Sequence, residues 1–301
     1  MKLEQLSSDV ASLLAVAEIA AGQLANASTL RLASVVSVIA SDAEKLDAED
    51  LEWISGQIAR VRDDRIQFWR QEMERLASRG IFVSSIADSS YPSNLRMIHN
   101  HPPFLFVRGE VLLSDARSIA IVGSRDSSPT AVLQAHELAG GLASKGVTIV
   151  SGLAEGIDTA AHGGALDAGG RTIAVFGTGI ERCFPAKNRE LATQVVASGA
   201  CVSQFWPATS GAKWTFPTRN IVTSGIALAT LVVEAGETSG ARRQAEDAMR
   251  HGKRLFLTEE VLAREWASAI AESPGVSIVE TVEGIIEELD NDLNTSADVM
   301  V

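Results

Sequence analysis

A chain of 301 residues with 46% hydrophobic side chains can bury a sizeable core, and no apolar run approaches the roughly 18 residues of a membrane span. The formal charge of −12 excludes a uniformly basic surface, but residues 258–301 carry one Arg against 11 acidic side chains, whereas residues 112–257 carry 14 Lys and Arg against 12 Asp and Glu. Cys183 and Cys201 lack metal-ligand or disulfide-framework spacing, which excludes a stapled secreted domain, fits the cytoplasm and leaves no metal expected.

In chain order, Val10 to Ala27 has a faintly signal-like apolar core, but Glu4, Asp9 and Glu18 make it read as an amphipathic first helix. Apolar residues recur every three or four positions up to Gly80 without a proline, predicting a helical N-terminal domain over residues 1–80. Its buried stripe is expected to include Trp53, Ile54, Ile58, Val61, Phe68 and Trp69, with the charges from Arg60 to Arg65 solvated. Residues 81–111 read as a connecting segment with short strands at Ile81–Val83 and Phe104–Val107, punctuated by Tyr91-Pro92 and His101-Pro-Pro103.

From residue 112 to 257 the rhythm is strand, glycine turn, helix, repeated, with strands near 118–123, 147–151, 171–176, 200–203, 228–234 and 254–257. Runs such as Ile119-Ala-Ile-Val122 and Leu231-Val-Val233 fit strands covered on both faces, hence an α/β fold with a doubly wound, mostly parallel sheet. Right-handed crossovers then gather the glycine turns at the carboxyl edge, where such sheets hold ligands in a single crevice. A strand and helix extension follows over 258–290, and residues 291–301 read as an acidic disordered tail.

The first turn, Gly123-Ser124-Arg125, lacks the G-x-G-x-x-G spacing of a dinucleotide enzyme, and no cofactor is expected. Its strand exit is expected to offer free N–H groups, and Arg125 a forked donor, to phosphate. In the second turn, Ser151-Gly152 leads to Asp158 and His162, four apart on one helix; without a further acid, metal ligand or nucleophile the pair reads as a helix-start interaction rather than a catalytic dyad. The third turn, through Gly177, continues into Lys187 and Arg189, either the rim of an anion groove or solvated charge, and Cys183 reads as structural. Finally, Lys213-Trp-Thr-Phe-Pro-Thr-Arg219-Asn220 interleaves cations with aromatics, the mixture that holds single strands, although Trp214 and Phe216 fit a core equally well. Glu234, ending the fifth of these strands, suits a sugar hydroxyl better than a phosphate.

These phrases occur in the order characteristic of one family. Tyr91-Pro-Ser-Asn-Leu95, Pro103-Phe-Leu-Phe-Val-Arg-Gly109, Ile121-Val-Gly-Ser-Arg125, Ser151-Gly-Leu-Ala-Glu-Gly-Ile-Asp158, Gly170 to Gly179, Phe216-Pro-Thr-Arg-Asn220 and Val233-Glu-Ala235 resemble the DNA-processing protein A family, also called DprA or Smf, over roughly residues 90–257. The resemblance implies an extended Rossmann-like domain that binds single-stranded DNA, forms homodimers and hands strands to a RecA-type recombinase in transformation or recombination. It places the DNA-contacting cations on Arg125, Lys187, Lys213 and Arg219. The chain departs from the family pattern at Ile221, where a second arginine is usual, and at Ala241-Arg-Arg-Gln244, and no winged-helix extension is read after Leu257.

The expectation is therefore a non-catalytic, cytoplasmic single-stranded DNA-binding protein without a membrane partner. Its phosphate-binding residues would be Gly123, Ser124, Arg125, Ser151, Gly152, Gly177, Lys187, Lys213, Arg219 and Asn220. The alternative is a Rossmann-like nucleotide sensor or nucleotide hydrolase, serving antiviral defence beside a partner protein.

Overall fold

The computed structural model describes residues 1–22 and 27–299. Helices α1 (Gln5–Ser8), α2 (Val10–Ala21), α3 (Ala27–Asp42), α4 (Ala48–Arg60) and α5 (Asp63–Ala77) form the N-terminal region. Helix α2 is enclosed rather than amphipathic: Leu13 to Ala17 are fully buried in succession, and Glu18 is held by the Arg65 guanidinium at 2.7 Å. Of the expected stripe, Ile54 and Trp69 are buried, whereas Phe68 is exposed beneath Arg65, which lies 4.1 Å from its ring centroid. After α5 the chain turns at Gly80, whose φ of +69° is left-handed and favours glycine.

Next come β1 (Ile81–Ser85), α6 (Ser93–Arg96), β2 (Phe104–Gly109), β3 (Ser118–Gly123), α7 (Pro129–Ser144), β4 (Thr148–Ser151), α8 (Ile157–Asp167), β5 (Thr172–Val175), α9 (Arg189–Ser198) and β6 (Ala200–Ser203). The chain continues through α10 (Thr215–Ile226), β7 (Ala229–Glu234), α11 (Gly240–Arg250), β8 (Arg254–Leu257), α12 (Glu259–Leu262), α13 (Glu265–Ile270), β9 (Val276–Ile278) and α14 (Val282–Val299). The strands of the described residues form one sheet in the order β1-β2-β6-β5-β4-β3-β7-β8-β9. Strands β3 to β9 pair in parallel, while β1 and β2 add an antiparallel edge beside β6.

Alternation along the strands covers both faces. Ile119 and Ile121 of β3 pack with α7, α8 and the Ile285 and Leu289 side chains of α14. Ala120 turns to the opposite face, which carries the N-terminal helices, and Val122 joins the apolar side of α11.

Helix α14 extends into the segment expected to be an acidic disordered tail, through residues 291–299; residues 300 and 301 lie outside the described residues. Its acidic side chains are tethered: Arg254 pairs with Glu288 and with Asp292 at 2.6 Å, and Arg117 with Asp290 at 2.9 Å. Arg254 starts β8 and Arg117 immediately precedes β3. These three α14 carboxylates therefore sit at the amino ends of the strands, whereas Glu259, Glu260 and Glu265 of the same acidic segment follow the carboxyl end of β8.

Candidate nucleic-acid interface

The chain lays down β3 to β6 in one direction and returns to place β7 on the other side of β3, so strand order reverses between β3 and β7. At the carboxyl ends of these two strands opens a crevice of about 630 Å³, bounded by Gly123 to Asp126, the start of α10 and the start of α11. Four cations line it: Arg125, Lys213, Arg219 and Arg243. Arg125, Lys213 and Arg243 are exposed, and among the described residues none has a carboxylate within ion-pair distance. The Arg125 guanidinium lies over the Phe216 ring, 5.2 Å from its centroid, which orients the charge without neutralising it. Asp126 and Asp158 are the acidic residues of the lining.

Arg219 is held in the wall. Only 6% exposed, it donates from Nη1 to the Val175 carbonyl at 2.8 Å and from Nε to Asn220 Oδ1 at 3.3 Å. Its slot requires Gly152: a Cβ there would stand 1.7 Å from Arg219 Nη1. Burial pushes the Arg219 pKa down, opposed by the nearby Asp158 charge. Asn220 Nδ2 in turn donates to the Gly240 carbonyl at 3.3 Å, joining α10 to the start of α11.

Several of the glycine-turn amides expected to be free are taken up within the fold. Ser124 N–H donates to the Glu234 carbonyl at 2.7 Å, Gly152 and Ala154 N–H donate to Asp158 Oδ2 at 3.1 and 3.2 Å, and Gly179 N–H donates to the Thr209 carbonyl at 2.9 Å. The glycines serve close packing instead. A Cβ at Gly177 would meet the Phe216 ring at 2.5 Å, and one at Gly123 would meet Ile157 at 2.3 Å.

Glu234 likewise departs from its expected role. Its Oε2 accepts from the Ser128 N–H at 3.1 Å and the Ser128 hydroxyl at 2.7 Å, so the carboxylate occupies the start of α7.

Asp158 and His162 do not form a dyad. Asp158 is committed to the two amides, and burial raises its pKa while Arg219 and those amides hold it partly down. The Thr172 hydroxyl donates to the Ile149 carbonyl at 2.9 Å, so it accepts from His162 Nδ1–H at 2.7 Å, leaving the buried His162 Nε2 without a partner. Burial, then the Arg219 charge, pushes the His162 pKa down to about 3.

An unfolded chain takes up this proton below its ordinary pKa of about 6.5, but the folded chain does so only near 3, so stability is lost as pH falls through that window. From pH 7 to pH 5 the His162 contribution is expected to be about 2 kcal/mol. His251, pushed down to about 4 chiefly by burial, steepens the same loss. Denaturant unfolding of His162→Gln at both pH values should show a correspondingly smaller decline, and an unchanged one would contradict the assignment of a neutral buried imidazole.

Of the residues expected to bind phosphate, Gly123, Ser124, Arg125, Lys213, Arg219 and Asn220 line the crevice. Ser151, Gly152 and Gly177 stand behind it: Ser151 is buried with its hydroxyl donating to the Ile121 carbonyl at 2.7 Å, and the two glycines lie beneath Arg219 and Phe216. Lys187 is not brought into the lining; it pairs with Glu155 at 2.9 Å on the surface. Ile221 packs against the core rather than facing the opening.

Sequence reasoning missed Arg243 and Gln244 as lining residues. Gln244 is buried, and its Nε2 donor has no acceptor. The available signal was the polar Arg-Arg-Gln run directly after Gly240, which the first turn of α11 carries to the crevice. The aromatics divide: Trp214 is partly exposed, its ring edge-on to the buried Phe205 at 5.7 Å, while Phe216 is half-buried between Gly177 and Arg125.

Comparison with known proteins bears on the family and the fold. The family model for DNA recombination-mediator protein A matches residues 82–290. The chain is 32% identical over 237 residues to DNA processing protein DprA of Bacillus subtilis (strain 168), covering 77% of this chain and 80% of that one. It is 38% identical over 172 residues to DprA of Streptococcus pneumoniae, covering 57% and 61%. The X-ray structure of DNA processing protein A from S. pneumoniae superposes with a TM-score of 0.72 at 26% identity, over 92% of this chain and 97% of that one. DNA processing protein A from Helicobacter pylori, whose structure concerns its binding of single-stranded DNA, shares the fold with a TM-score of 0.61 at 24% identity, over 70% of this chain and 96% of that one. With the family model spanning the sheet from β1 to within α14, this chain belongs to the DNA recombination-mediator protein A family.

Proposed function

We propose that the chain binds single-stranded DNA in the crevice between β3 and β7, without catalysing a reaction, and as a homodimer delivers the strand to a RecA-type recombinase. The observation that carries the binding reading is the convergence of Arg125, Lys213 and Arg243, with no carboxylate within ion-pair distance among the described residues, around one opening at the reversal of strand order. Arg125, Lys213 and Arg243 neutralise backbone phosphates, buried Arg219 and the unpartnered Gln244 amide offer donors from the wall, and Phe216 or Trp214 provides a face for a base. The relatives named above, one of them bound up with single-stranded DNA, support the same reading.

A nucleotide sensor or hydrolase would need an acidic group free for sugar or water. Glu234 is taken up by Ser128, and Asp158 by two amides, which weighs against that class. Titrating oligo-dT against ionic strength tests the proposal. Affinity should fall with salt at a log-log slope of about −0.7 per phosphate contacted, and strands should raise the melting temperature more than a panel of mononucleotides. No binding of oligo-dT at low salt, or stabilisation by one nucleotide alone, would reject it.

A further inference from the structure

A second cavity, of about 840 Å³, lies on the other side of the loop that follows β5. Arg79, Arg108, Arg182 and Arg189 line it, with Glu181 as the acidic residue of the lining. Glu181 is already shared: Arg75 bonds it at 2.8 Å, and Arg79 bonds it as well. Arg182 turns its Nε to the Ala208 carbonyl at 2.6 Å. Arg108 has its Nε buried without an acceptor, and the exposed Arg189 forms no ion pair among the described residues. A cluster serving the fold alone would pair its guanidinium groups with carboxylates; here three of the four, Arg108, Arg182 and Arg189, have no ion pair among the described residues, in a chain of net charge −12.

The loop lines the second cavity and reaches the crevice through one ring contact. Phe184, 55% exposed, leans on Phe216 of the crevice at 5.6 Å between centroids, while its neighbours Arg182 and Cys183 face the second cavity. We propose that this cavity is a second phosphate-binding site, which takes the backbone of the same strand after it leaves the crevice across Phe184. The inference rests on the crevice being a single-strand site; a free polyphosphate shares the required chemistry and is the competing source of the anion.

The test compares an oligo-dT of about six nucleotides, short enough for the crevice, with one of about thirty. Arg108→Gln combined with Arg189→Gln is expected to weaken the long strand about tenfold at low salt and to lessen its salt slope by about 1.4, with the short strand unaffected. Arg189→Glu alone, at an exposed position, should act in the same direction if the double variant fails to fold. The long strand, but not the short one, should slow alkylation of the half-buried Cys183 in the wild-type chain.

Wild-type affinity for the long strand in both variants, or an equal loss for both strands, overturns the second site while leaving the crevice standing. Protection of Cys183 by pyrophosphate but not by the long strand assigns the cavity to a free anion and overturns the strand path. A wild-type chain that binds neither strand overturns the crevice reading and this one together.

Discussion

Replacing Arg125 and Arg243 together with alanine is expected to weaken oligo-dT binding about 100-fold at low salt and to reduce the magnitude of the salt slope by about 1.4. Each loses one charge-assisted phosphate contact, contributing about 1.5 kcal/mol and about 0.7 to the slope. Both side chains are exposed and free of ion pairs among the described residues, so little folding stability should be lost with them. Arg125 alone carries an additional consequence, because its guanidinium covers the Phe216 ring that would receive a base. Fluorescence anisotropy across a salt series, with thermal unfolding as the control, measures both effects. A double variant with unchanged slope would show that phosphates do not lie between these residues.

Gly152→Ala is expected to cost about 3–5 kcal/mol of folding stability, the range for disrupting a buried charged group. Gly152 does not require a left-handed backbone, so the cost arises from the methyl group itself. The added Cβ would stand 1.7 Å from Arg219 Nη1 and 2.3 Å from Cζ, while that guanidinium is fixed by the Val175 carbonyl and Asn220. Expelling it would leave the Val175 carbonyl without this donor and Asp158 without the opposing Arg219 charge. Arg219→Met in the same chain should recover part of the loss, giving a coupling of about 1–2 kcal/mol in a double-mutant cycle. Strict additivity of the two substitutions would show that Arg219 is not what the methyl group meets.

Much of the sheet was legible because strand signals are local. Ser118–Gly123, Ala200–Ser203 and Arg254–Leu257 coincide with the runs expected, and the alternation of buried residues follows from a two-residue repeat. Helix α2 was less so, since the same apolar pattern serves an amphipathic helix or one enclosed by its neighbours, and only packing distinguishes them. The acidic segment after Leu257 was visible as composition, but the placement of the Glu288, Asp290 and Asp292 carboxylates at the amino ends of the strands required Arg117 and Arg254, which lie far away in sequence.

The α/β rhythm, the glycine turns at strand ends and three crevice cations, Arg125, Lys213 and Arg219, were readable in the chain, because they follow from neighbouring residues and motif order. That the Ser124, Gly152, Ala154 and Gly179 amides are taken up internally, that Lys187 pairs with Glu155, and that Arg243 and Gln244 join the crevice depends on contacts between segments far apart in the chain. A residue's type sets what it can bond, whereas its available partners depend on which distant segments the fold brings within about 3 Å.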